Sequence, residues 1–211
     1  MCRPKVLSQN INMERKPYHH GDLRSQLMEL SERALEENNL ENLSLRSLAK
    51  QAGVSHSAPY RHFKNKRALE QALLIKEMDN LHDAITNIKR NEVSPYRSLL
   101  DVGEYLCELA SEHPSRFQLL ASPIEKPAPA RLISLRDGIF KELLRWTVSY
   151  LHEQGMRSQF EPVKLTQTLW TGLFGCASLA KSHWLGDETE DHSEALKILE
   201  SFLDHILKSS H

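Results

Sequence analysis

His56, Ser57 and Ala58 stand together in a stretch of chain that contains no acid. A histidine ring N–H can donate to a purine N7 or O6, a serine hydroxyl can donate or accept, and an alanine methyl can meet a thymine methyl. Residues 44–67 around them carry six cations, Arg46, Lys50, Arg61, Lys64, Lys66 and Arg67, and neither Asp nor Glu. Cations fix a protein on the phosphate backbone, and small polar side chains read the base edges between. The chemistry on offer is recognition of double-stranded DNA.

Those side chains need a frame. Residues 43–68 read as two short helices joined by a tight turn at Ala52-Gly53-Val54-Ser55, the sequence form of a helix-turn-helix whose second helix enters the major groove. Ser44 is the N-cap of a helix over about 45–52, with Leu45, Leu48 and Ala49 inward. The next helix spans about 56–62 and holds Pro59. Proline costs little only in a first turn, so this helix has to begin no later than Ser55 or His56. A preceding helix starts at Gly21-Asp22, with Asp22 as cap and Leu23, Leu27, Leu30 and Ala34 on one face, and closes at Asn38-Asn39.

Lys64-Asn65-Lys66 breaks the reading helix, and a long helix follows over about 66–90 with Leu69, Leu73, Met78, Leu81, Ile85 and Ile88 as its stripe. Proline and glycine mark the later boundaries: helices over about 95–113, 114–121, 129–154, 162–184 and 189–208, with a proline-rich loop at 122–129. No strand-like alternation of useful length appears. The fold class is all-α with about nine helices. It divides into a flexible basic tail (1–18), a three-helix helix-turn-helix domain (19–66) and a helical bundle for ligand binding and dimerisation (67–211).

From Tyr18 to Leu74 the chain, YHHGDLR … LSLRSLAKQAGVSHSAPYRHFKNKRALEQALL, closely resembles the DNA-binding domain of the TetR/AcrR family of bacterial repressors. The Leu-x-Leu-Arg entry, the Ala-Gly-Val-Ser turn, the Tyr-x-His-Phe helix end and the Lys-x-Lys before a long helix occur in the family's order. The resemblance implies a DNA-binding head, a helical ligand-binding body and a homodimer. It places His56, Ser57 and Ala58 at the bases, with Tyr60 and His62 on phosphates. Lys66 becomes the cation at the start of the long helix, where free N–H groups also face a phosphate. Arg46 reaches a base or phosphate, and Ser44 offers a phosphate-binding hydroxyl. Ser55, Arg61 and Lys64 complete the candidate DNA surface. The competing readings are packing for Tyr60, simple solvation for His56 and surface shielding for Arg61. Leu169–Gly175 is similar to the Trp-x-x-x-His-Gly signature of the WHG class of TetR C-terminal domains, with Phe174 where that pattern has His.

In the body, Phe117, Trp146, Tyr150, Trp170, Phe174 and Trp184 are candidates to line a ligand cavity, with Cys107, Cys176 and His183 as orienting groups. Most aromatics at helical spacing are ordinary core, and His183 reads more readily as a satisfied core histidine than as a ligand contact. Small residues Gly172, Gly175, Ala177 and Ala180 suggest close helix approach in a dimer interface built from the last two long helices.

The bulk numbers agree with one anionic partner at one end. The net charge of −1 over 211 residues divides into 12 Lys/Arg against 8 Asp/Glu in residues 1–75 and 15 against 20 in residues 76–211. The three cysteines are widely spaced and fit a reducing, cytoplasmic setting. No apolar signal core or long apolar run points to a membrane. Eleven histidines form no pair with metal-ligand spacing, and no nucleophile elbow, phosphate loop or cofactor motif is present, so no metal, cofactor or catalytic residue is assigned. Cys176 as a redox sensor is opposed by its apolar setting. The sequence therefore predicts a regulator that binds a palindromic operator as a homodimer. Most simply it is a repressor released by a small apolar or aromatic effector. The alternative is an architectural or cell-cycle DNA-binding protein with the same head and no effector.

Overall fold

The computed structural model describes residues 23–124, 126–156, 161–179 and 193–208. The basic tail, His19-His20, the Asp22 cap, Ala180, His183 and Trp184 lie outside the described residues. Within them are eight α-helices and one single-turn 3-10 helix, and no strand. In chain order these are α1 (Leu23–Glu36), α2 (Leu45–Gln51), the 3-10 turn (Ala58–Arg61), α3 (Lys66–Arg90), α4 (Pro95–Glu112), α5 (Pro114–Leu120), α6 (Ala130–Glu153), α7 (Pro162–Leu179) and α8 (Ser193–Lys208).

The helices begin and end where local chemistry dictates. Asn65 and Ser94 cap α3 and α4 by accepting from the Ala68 and Arg97 N–H groups. α1, α2 and α6 stop in the same way. A residue with positive φ follows the helix: Asn38 (54°), Gly53 (68°) and Gly155 (72°). Its N–H and the next one turn back onto the last carbonyls, as in Gly53 to Lys50 at 3.2 Å and Val54 to Ala49 at 3.0 Å.

Two cores form, joined by α3. The head core gathers Leu27, Leu35, Leu48, Phe63 and Leu69, and extends through Leu73 and Leu74 to Leu119 of α5 and Leu132 of α6. Leu81 and Ile85, two turns further along α3, belong to the body core with Leu99, Leu106, Leu143, Trp146 and Leu173. The first turns of α3 thus pack as part of the head. In the body, α4 lies against α5, α6, α7 and α8, and α6 against α3 and α7.

Two glycines make close approaches possible. A Cβ on Gly103 of α4 would overlap a methyl of Leu199, and one on Gly172 of α7 would overlap the Phe202 ring. Gly172 and Ala177, which is 1% exposed, therefore serve packing within the chain rather than the interface foreseen for them. Of the interface candidates Gly172, Gly175 and Ala177, Gly175 is the one that opens on free space.

Candidate nucleic-acid interface

The interface is built on α2. Ser44 Oγ accepts from the Ser47 N–H at 3.0 Å, while the Ser44 N–H donates to Ser47 Oγ at 3.1 Å, a reciprocal capping box that the sequence reading missed. The Ser44 hydroxyl proton also points to Ser47 Oγ at 3.0 Å, so this side chain is engaged in the cap before any phosphate arrives. Arg46, two residues on, is exposed.

After the Gly53 turn the expected reading helix is not an α-helix. Pro59 has no N–H to give to the Ser55 carbonyl, so a helix beginning at His56 would lack its first bond and one beginning at Ser55 its second. The chain instead closes in consecutive tight turns: Ala58 N–H to Ser55 O at 3.0 Å, Tyr60 N–H to Ser57 O at 3.3 Å and His62 N–H to Pro59 O at 3.0 Å. The regular part shrinks to Ala58–Arg61, with Pro59 in its first turn. That corrects the predicted start by two to three residues and the predicted length to a single turn.

Burial sorts this segment into anchor and face. Pro59 is buried and Phe63 is 3% exposed, with the Arg24 guanidinium 5.3 Å from the Phe63 ring centre. Ser55, His56, Ser57, Arg61, His62 and Lys64 are exposed, and Ala58 is half-buried. Tyr60 is 54% exposed, so packing does not account for it. Ser55 and Ser57 hydroxyls lie 3.2 Å apart, which stiffens the segment just before the turn. At the start of α3, Lys66 holds Glu70 at 3.6 Å and the Glu41 main-chain carbonyl at 3.5 Å, both long contacts. No acid stands in the first turn of α3, which leaves the positive end of that helix uncompensated there.

The body candidates sit differently. Cys107, Phe117, Trp146 and Tyr150 are buried, whereas Trp170, Phe174 and Cys176 are half-buried. Phe117 stacks on Phe174 with centres 5.4 Å apart, and Trp170 meets Phe174 edge-on at 4.7 Å. Tyr150 lies 6.3 Å from Tyr96. Burial pushes the Cys107 thiol up to about 12 and raises that of Cys176, which removes the thiolate a redox sensor needs.

A buried ion pair joins head and body. Arg116 of α5 donates through Nε to both carboxylate oxygens of Glu77, at 3.2 and 3.1 Å, and through a terminal nitrogen to Glu36 of α1 at 3.4 Å. The Glu77 side chain is 4% exposed and that of Arg116 17%. His113 Nδ1 lies 3.1 Å from Glu36, and the Ser115 N–H donates to Asn38 Oδ1 at 3.3 Å. Sequence reasoning overlooked this latch. Its signal was Glu77 itself, a carboxylate on the apolar face of α3 between Leu73 and Leu81.

Among the described residues no group of three or more His, Cys, Asp or Glu could hold a metal, and no helix is long and apolar enough to cross a membrane.

Known proteins fit this geometry. Residues 27–73 match the family model of bacterial regulatory proteins, tetR family. An HTH-type transcriptional regulator of Staphylococcus aureus (strain MRSA252) is 23% identical over 152 residues, 72% of this chain and 80% of that protein. Among solved structures, a protein of unknown function from Rhodococcus sp. RHA1 superposes with a TM-score of 0.71 at 23% identity, covering 92% of this chain and all of that one. The regulator FadR from Bacillus subtilis, solved with stearoyl-CoA, gives 0.65 at 13% identity over 89% of this chain and 100% of its own. PfmR from Thermus thermophilus, a TetR family transcriptional regulator, gives 0.61 at 19% over 88% and 99%. Residues 27–73 thus carry the head of the tetR family of bacterial regulatory proteins, on a chain that shares the fold of TetR family transcriptional regulators.

Proposed function

We propose that this regulator is a homodimeric repressor that binds a palindromic operator and is released by a small apolar or aromatic effector. The observation that carries the reading is the acid-free, exposed face from Arg46 to Lys66, held on a head whose core runs without a break into α3. His56, Ser57 and Ala58 meet the bases. Tyr60, His62 and Lys66 hold phosphates, with Arg46, Ser55, Arg61 and Lys64 beside them. Ser44 contributes by fixing α2.

The dimer uses the outer face of α7. Thr168, Thr171, Gly175 and Ser178 form an exposed, uncharged stripe at helical spacing. Its three hydroxyls are satisfied by carbonyls of their own helix, at 3.0, 2.9 and 2.7 Å, so a second copy can approach closely at no hydrogen-bonding cost. Two heads then face successive major grooves, roughly 34–36 Å apart.

The effector acts on the aromatic cluster Phe117, Phe174 and Trp170. α5 carries Phe117 next to Arg116, so displacing that ring moves the latch on Glu36 and Glu77 and tilts the head. A ligand works this way only by binding the two head positions unequally. The structural likeness to FadR, solved with stearoyl-CoA, supports an apolar effector.

The test is selection of bound duplexes from a random pool, followed by a melting screen with aromatic compounds, fatty acids and acyl-CoAs. The reading expects a palindromic site, and a compound that both raises the melting temperature and weakens binding to that site. A site without two-fold symmetry contradicts the dimer, and a screen in which no compound does both contradicts the effector.

A further inference from the structure

We propose a second effector site at the junction of head and body, a cleft that takes a small monoanionic amphiphile with a carboxylate head and an apolar body. The cleft has a volume of about 430 Å³, within the range of small-molecule sites, which favour domain boundaries. It is bounded by both parts of the molecule. Leu40 comes from the α1–α2 connection, Leu74 from α3, Leu119 from α5 and Leu132 from α6, and together they give it an apolar floor.

The mouth selects the head group. Lys66 and Arg67 stand on one side, with Glu41 and Glu70 beside them. Among the described residues Lys66 has only long contacts, 3.6 Å to Glu70 and 3.5 Å to a carbonyl, so an entering carboxylate replaces weak partners with a charge-assisted hydrogen bond. With two cations against two acids the mouth is neutral overall, so a single added negative charge is less opposed there than a dianion such as phosphate. Gln118 and Ser122 of the α5 end supply neutral polar groups at the rim.

The position of the cleft gives the site a consequence. This consequence rests on the head tilt proposed above: an occupant whose walls come from the α1–α2 connection and from α6 binds the two head positions unequally. Lys66 is also the cation assigned to a DNA phosphate, and a carboxylate held there competes with DNA directly. The existence of the site does not depend on that assignment, but this second effect rests on it.

Calorimetric titration of the full chain with sodium 2-naphthoate, with neutral 2-naphthamide as control, tests the proposal. The variants are Gln118→Trp and Ser122→Trp, whose indoles close the cleft, and Trp170→Ala in the body cluster. The expected result is that 2-naphthoate binds, the amide binds about tenfold more weakly or worse, either tryptophan abolishes binding, and Trp170→Ala leaves it intact. No binding, equal binding of acid and amide, binding that survives both tryptophans, or binding lost with Trp170 instead overturns the site. The same protein set is then titrated with a selected duplex. A duplex affinity that falls with 2-naphthoate in the wild type and stays constant in Gln118→Trp supports coupling of the site to DNA binding. Binding of 2-naphthoate with no change in duplex affinity keeps the site and overturns both of its effects on DNA, the unequal binding to two head positions and the shared use of Lys66.

Discussion

The head and the body present their candidate residues in opposite ways. In the head, Arg46, His56, Ser57, Tyr60, Arg61, His62 and Lys64 are exposed, while Pro59 and Phe63 beneath them are buried. In the body, Phe117, Trp146 and Tyr150 are buried, and Trp170 and Phe174 lean on one another and on Phe117. An exposed polar side chain is ordinary surface on its own; the six cations with no acid among them over residues 44–67 are what speak for an anionic partner. A buried aromatic is already stabilised by burial, and burial alone does not separate a ligand wall from core. The difference explains why the partner of the head is legible and the effector of the body is a proposal.

Mutations that hit what joins the two regions should have the largest effects. Arg116→Ala leaves Glu77 buried without its guanidinium and should cost about 3–5 kcal/mol, read as a fall in the urea midpoint. Replacing Arg116 and Glu77 together by methionine should recover most of that loss, because no orphaned charge remains. If Arg116→Ala is as stable as the wild type, the latch does not hold head to body.

Trp146 sharpens the contrast within the body. It is 0% exposed, and Trp146→Ala should cost about 3–5 kcal/mol as a core deletion. Trp170→Ala, at a half-buried ring, should cost less and abolish the effector's thermal shift. Equal costs at the two positions would remove the distinction between core and ligand wall.

Gly53→Ala tests the turn that aims the reading segment. At φ 68° a side chain is disfavoured by about 1–2 kcal/mol, although a Cβ there meets nothing within 4 Å. The penalty should be conformational only, so Gly53→Asn should recover much of it.

Acid should have the smallest effect. The Arg145 guanidinium, hydrogen-bonded to Glu92, holds its carboxyl below the usual carboxylate range. A depressed carboxyl stabilises the fold above its unfolded value of about 4.3 and loses that contribution as pH falls through the lower folded value. The melting temperature should therefore drop more steeply below about pH 4.3 in the wild type than in Arg145→Ala. The difference should be slight, because the pair is partly exposed, at 36% and 25%.

Much of the frame was legible because its signals are local. Asn65 and the stripe from Leu69 to Ile85 place α3 at 66–90 within the accuracy of a helix end, and Ser44 and Gly53 bracket α2. The reading segment was misjudged because Pro59 was weighed by its place in a helix, when its missing N–H prevents that helix from starting at Ser55. Gly172 and Ala177 were misassigned because a small residue announces a close neighbour and not which one; Phe202 is 30 residues away in sequence. The Arg116 latch needs three segments, α1, α3 and α5, brought together, and no spacing along the chain reports that.

The central claim is that the segment from His56 to Lys66 reads DNA, with base and phosphate roles divided between its residues. Its most direct test is the salt dependence of binding to a selected duplex and to a scrambled one, for the wild type, Lys66→Ala and His56→Ala. Lys66→Ala should weaken both duplexes alike and lower the salt slope by about 1. His56→Ala should keep the slope and cost about 1–3 kcal/mol on the selected duplex only. Unchanged affinity and slope in both variants would contradict the account.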